Sequence, residues 1–297
     1  MKIDPIGRPV AGWNRWLSTG WLCLALVCVW TFGWTLVHTH QFSMTPPERV
    51  VRGLAALGWS NEFYFWLGVV TISPLFVGCF LMGAAIFWLR PNDRMAVFTS
   101  IFLMSFGAAN SFIPAKEYLE LVGDLPLQIA LPSFITGMLS FGLLGVFFAM
   151  YPDGQFVPGW MRWIALEGFL LSLAWNLFPA TIGAFEGPLG IVTLLAVIIM
   201  FAGGLAAQVW RYRNYSTNLQ KQQTKWFVYG LAVIVIASIV PSGILYAWNS
   251  NDLTDPRTSV LFDLFLSISN LTFGLLPVTI GVMVVVGRLI ATVRRES

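Results

Sequence analysis

Two carboxylates, Glu167 and Asp263, lie within apolar runs of membrane-spanning length. An ionisable group inside a bilayer is costly, so it marks a ligand or coupling position by default. Glu167 falls about two turns into its run and Asp263 about one turn, which keeps both near interfacial water. Two readings stand for each: a ligand or coupling group, or an interfacial, helix-pairing group. Both readings require the carboxylates to face protein or a wet cavity rather than acyl chains. Asn110, Asn176 and Asn270 suit hydrogen bonds between helices. His38 and His40 close the first apolar run with no acidic or Cys partner nearby, so no metal site is assigned. Cys23, Cys28 and Cys79 all fall inside apolar runs and form no CxxC, which reads as packing. There is no GxSxG, HExxH, P-loop or kinase glycine box. The expectation is a non-enzymatic chain with no catalytic residue, no cofactor and no metal.

The elements that must position these residues follow from composition. The chain has 297 residues, 57% hydrophobic and 10% charged, with a mean hydropathy of +0.74. Soluble domains carry about 25% charged residues. Too little charge is present to cover a water-facing surface, which makes the bilayer the first partner. A net charge of +3 with no basic soluble face excludes a nucleic-acid partner.

A hydrocarbon core of about 30 Å takes about 20 apolar residues of helix. Eight runs fit: Leu17–Val37, Phe63–Leu89, Met95–Ile113, Leu127–Met150, Trp160–Phe178, Leu189–Trp210, Trp226–Trp248 and Ser259–Leu289. The fold class is therefore an all-α polytopic membrane protein, one domain over residues 1–297, with eight transmembrane helices. The first run is longer than a signal-peptide core of about 7–15 residues and reads as a retained anchor. Pro46–Ser60 reads as an interfacial amphipathic helix, with Val50, Leu54 and Leu57 on one face. Missing midplane charges and missing paired broken helices weigh against a small-solute transporter.

Direction comes from charge. The segment from Arg211 to Lys225 holds Arg211, Arg213, Lys221 and Lys225 between two apolar runs. Placed inside, it leaves Arg49, Arg52, Lys116 and Arg257 outside, four of the seventeen Lys and Arg, and thirteen inside. That bias predicts both termini in the cytoplasm. The connection exceeds the usual 2–8 residues between bundled helices, so it is expected to be ordered, contacting a partner or the Pro152–Pro158 turn. Arg211, Arg213, Lys221, Gln222, Gln223, Lys225 and Trp226, together with Pro152, Asp153 and Gly154, form the candidate docking set. The bland alternative is turn and stop chemistry, since Pro-Asp-Gly is itself a turn sequence.

Three expected cytoplasmic segments carry a resemblance: Arg90-Pro-Asn-Asp-Arg-Met-Ala96, Tyr151-Pro-Asp-Gly-Gln-Phe-Val-Pro158 and Gln220-Lys-Gln-Gln-Thr-Lys-Trp226. In order and position, the region from Phe63 to Leu289 resembles the multi-span membrane input region of ComP-type bacterial sensor histidine kinases. The resemblance implies a bacterial inner-membrane protein that senses a ligand or signals through a partner, a kinase or another membrane or cytoplasmic protein. The chain ends at Ser297, eight residues past the last run. The family's dimerisation helices, phospho-accepting His and ATP-binding domain are therefore not expected, and kinase activity is not implied. The alternative is an accessory or structural subunit of a larger membrane complex.

Overall fold

The computed structural model describes residues 11–44, 46, 48–110, 127–151, 154–178 and 187–216, with single residues and short runs between 221 and 281. Among the described residues the chain is helical, with no strand. Seven helices follow in order: α1 Ala11–Met44, α2 Glu48–Leu57, α3 Asn61–Leu89, α4 Arg94–Ala109, α5 Leu127–Met150, α6 Met161–Leu177 and α7 Gly187–Asn214. Four of them, α1, α3, α5 and α7, are long and apolar enough to cross a membrane.

Helix α1 runs 34 residues, about 51 Å, well beyond the expected Leu17–Val37. Its polar outer half does not end it, because Thr31, Thr35 and Thr39 each donate a hydroxyl to the carbonyl four residues back, at 2.8–3.0 Å. The hydroxyls are satisfied within the helix, so they impose no break. The third expected span stops early, at Ala109. Asn110 caps α4 there with its backbone N–H and its Nδ2, both on the Phe106 carbonyl. Helices α4 and α6 have 16 and 17 residues, about 24–26 Å each, shorter than α1, α3, α5 and α7. The runs 226–248 and 259–289 lie largely outside the described residues.

The helix ends explain the antiparallel packing. Ser60 caps α3 by accepting the Phe63 N–H, and Asp93 caps α4 by accepting the Met95 and Ala96 N–H groups. Substituting such a cap costs about 1 kcal/mol. Only Arg90 to Asp93 separate α3 from α4, so the two helices must lie side by side. Helix α2 ends in a Schellman motif, with Gly58 at φ 71° and bonds from Gly58 to Ala55 and from Trp59 to Leu54.

The amphipathic face of α2 is turned inward. Val50 and Leu54 are each 1% exposed and pack with Tyr64 and Val260, with Leu57 and Trp59 beside them. The expected interfacial helix therefore spends its apolar stripe on protein rather than on lipid. Its outer Glu48–Arg52 pair is exposed at 3.7 Å and adds little.

Helix α4 is the centre, flanked by α1, α3 and α5. The Trp21 indole donates to Ser100 Oγ at 2.8 Å, and Ser100 Oγ donates to the Gly83 carbonyl at 2.6 Å, tying α1, α4 and α3 together. Asn110 Nδ2 reaches Ser140 Oγ at 3.0 Å, tying α4 to α5. Ser172 Oγ lies over the carbonyls of Gly137 and Met138, tying α6 to α5. Asn176 donates within α6, to the Ser172 carbonyl, while its side chain occupies the space left by Gly137. Phe102 stacks on Phe147 at 5.0 Å and Phe147 on Tyr151 at 4.9 Å, a column of rings along the core.

Helices α5 and α6 cross at Gly145 and Gly168. A Cβ at either would stand 3.1–3.2 Å from the other's Cα, with Met200 Sδ also close. Backbone meets backbone there, so neither side can give way. Gly168→Leu should destabilise the bundle by about 1–3 kcal/mol through overpacking, read as an earlier unfolding midpoint in a denaturing-detergent titration. An unchanged midpoint would mean the crossing is looser than described.

Candidate functional site

The described members of the expected docking set gather at one end of the bundle, where α3 ends, α4 begins and both α5 and α7 finish. Ile86, Ala96, Ala149 and Tyr151 belong to one buried cluster there. The α5–α6 connection runs from Tyr151 to Trp160, with Gly154 at φ 77° and a cis Val157–Pro158 bond. Gly154 donates back to the Met150 carbonyl at 2.8 Å. Glycine fits this left-handed position without a Cβ penalty.

Helix α7 closes that turn. Gln208 is fully buried and donates from Nε2 to the carbonyls of Phe148 and Tyr151, at 2.9 and 3.0 Å. Arg211 is 2% exposed. It donates from Nη1 to the Tyr151 carbonyl and from Nη2 to the Gln155 carbonyl. The planar guanidinium spans two carbonyls at once, a geometry that lysine cannot reproduce. Position 211 also lies in the last turn of α7, where a cation complements the helix dipole. Burial pushes the neighbouring Tyr151 phenol up from its ordinary value. Gln208 Oε1 is buried with no hydrogen-bond partner among the described residues.

The candidate docking residues separate into two groups. Arg211 is withdrawn from any external surface and serves as an internal clamp on the Tyr151–Gln155 turn. Arg213 and Lys225 are exposed and Lys221 is half-buried. The Nζ atoms of Lys221 and Lys225 each lie 5.8 Å from the centroid of the Tyr212 ring. Residues 221, 224, 225 and 228–230 are helical, so the two lysines share a face four residues apart. Pro152, Asp153, Gln222, Gln223 and Trp226 lie outside the described residues, as do Asp263 and Asn270. Glu167 is half-buried on α6, next to the Gly168 crossing. Gln155 is exposed through its side chain while its carbonyl is used.

Sequence reading missed Gln208 and Tyr212. The signal was present: Gln208 interrupts an apolar helix three residues before Arg211, and that spacing places both on one face. Among the described residues no three His, Cys, Asp or Glu side chains converge. Comparison with protein-family models, curated proteins and solved structures returns no match to this chain.

Replacing Arg211 removes the described donor of the Gln155 carbonyl and leaves the Tyr151 carbonyl with Gln208 alone. Each buried unsatisfied polar group costs about 1–3 kcal/mol. Arg211→Ala, and also Arg211→Lys, should therefore lower stability and raise amide exchange across residues 151–158 while leaving α1–α4 protected. Hydrogen exchange by mass spectrometry checks this. Uniform exchange in the variant and wild type would show that the clamp does not hold the turn.

Proposed function

We propose that this chain is a bacterial inner-membrane protein of eight spans with both termini in the cytoplasm. It acts without catalysis, as an input module that passes a signal to a partner protein docked on its cytoplasmic end. The observation that carries this reading is the Gln208–Arg211 clamp. It bonds the Tyr151–Pro158 turn to the last turns of α7, and Lys221 and Lys225, from another of the three segments behind the sensor-kinase resemblance, lie against Tyr212 beside it. The α3–α4 turn, the third segment, ends at the same end of the bundle. A displacement of α7 along its axis would be felt in the turn, because a buried side chain bonded to main-chain carbonyls leaves little slack. Arg213 sits one residue from a nearby aromatic and two residues from the clamp, exposed and available to a partner.

Topology and docking are tested separately. A periplasm-active reporter fused after Ser297 should stay silent, and a bright signal there would remove the even-span arrangement. For docking, the full chain is purified in mild detergent from its native membrane. A substoichiometric kinase or response protein among the copurifying species supports the input module. A fixed-stoichiometry large assembly would instead assign the chain as an accessory subunit. Arg213→Ala combined with Gln222→Ala and Gln223→Ala should leave insertion intact and reduce partner recovery several-fold. Equal recovery would reduce the connection to a linker.

A further inference from the structure

The Lys221–Lys225–Tyr212 cluster has a chemistry that docking does not require. Two ammonium groups converge on one ring, so they lie no farther apart than the sum of their distances to it. Like charges four residues apart on one helix face repel, and no acidic residue lies nearby in the sequence. Between Glu186 and Asp252 there is no Asp or Glu. The ion pairs among the described residues, Arg52–Glu48 and Arg90–Asp93, do not involve either lysine. The helix end beneath them already has some of its carbonyls in use. The Arg211 carbonyl accepts from the Tyr215 and Ser216 N–H groups and from Ser216 Oγ, and the Trp210 carbonyl accepts from Asn214 Nδ2. What remains is a doubly cationic site beside one phenol, with no acidic residue on its own stretch of chain and no ion pair to either lysine among the described residues.

Its level in the fold specifies the anion. The apolar helix capable of spanning a membrane runs from Ile191 to Asn214, so Tyr212 stands at its boundary. Trp210 and Tyr215 are exposed there and stack at 6.0 Å, as side chains of an interfacial aromatic belt do. Tyr229, exposed in the returning helix, lies one turn beyond Lys225. Lysine stems lie along apolar surface and raise their ammonium groups to headgroup depth. We propose that Lys221, Lys225 and Tyr212 form a headgroup site for an anionic phospholipid, whose phosphate sits between the two ammonium groups. The site depends on its depth at the membrane surface and not on which partner docks nearby.

The test uses the purified full chain without partner proteins. It is equilibrated with equimolar phosphatidylglycerol and phosphatidylcholine in mild detergent, and retained lipid is counted by native mass spectrometry. Wild type should retain phosphatidylglycerol selectively. Selectivity should fall about fivefold for each lysine removed, the factor expected for one basic residue near an anionic surface. Lys221→Arg with Lys225→Arg keeps both charges and should keep most of the selectivity, which separates charge from folding. Excess inorganic phosphate, lacking acyl chains, should not displace the lipid. No preference in wild type, full preference in K221A/K225A, loss of preference in K221R/K225R, or displacement by phosphate would each overturn the proposal.

Discussion

A carbonyl that leaves a helix near a bilayer has no water to turn to unless the protein supplies a donor. The end of α5 presents this problem in acute form, because the chain must turn back into α6 within the stretch from Tyr151 to Trp160. Phe148 near the end of α5, and Tyr151 and Gln155 in that stretch, present carbonyls, and Gln208 and Arg211 meet all three. Two side chains on a third helix thus make the connection between two others viable. The order of α5, α6 and α7 depends on that arrangement. Without it, the column of Phe102, Phe147 and Tyr151 would lose the fixed end on which its last ring stands.

Elsewhere the same scarcity of donors is handled differently. Along α1, threonines satisfy themselves within the helix. Between α1, α3, α4, α5 and α6, single hydroxyls and amides reach across, as Trp21 to Ser100 and Asn110 to Ser140 do. Lipid tails are as apolar as leucine, so helices in a membrane gain association from close packing and such bonds rather than from burial of apolar surface alone. The glycines at 145 and 168 serve the packing part. The hydroxyls serve the bonding part, and neither substitutes for the other.

Much of the helical layout was legible in the sequence, because long apolar runs admit few alternatives. The α3 boundaries, Asn61–Leu89, differ from the run Phe63–Leu89 by two residues, and α5 coincides with Leu127–Met150. Boundaries failed where polar residues hide their polarity. Hydropathy ended the first run at Val37, while Thr39 and its neighbours continue the helix to Met44. The candidate site was legible by charge but not by depth. Arg211, Arg213, Lys221 and Lys225 look alike in a count of basic residues. Only the fold sends Arg211 inward and leaves Arg213 outside, because one faces the turn and the other, two positions on, does not. Gln208 carried no charge to draw attention, and its importance lies in what it bonds.

Because Arg211 grips main-chain oxygens, it is indifferent to the side chains that the turn carries at 151 and 155. At the exposed position 155 many residue types could present the same carbonyl, whereas at 151 it is the ring column and not the clamp that asks for an aromatic. Chain length is another matter. Inserting or deleting a single residue between the two carbonyls would shift one of them out of the guanidinium's plane. The connection is therefore metered as well as spelled. Drift is tolerated at an exposed position such as 155, while a change in length would strand a permanently charged group among apolar side chains.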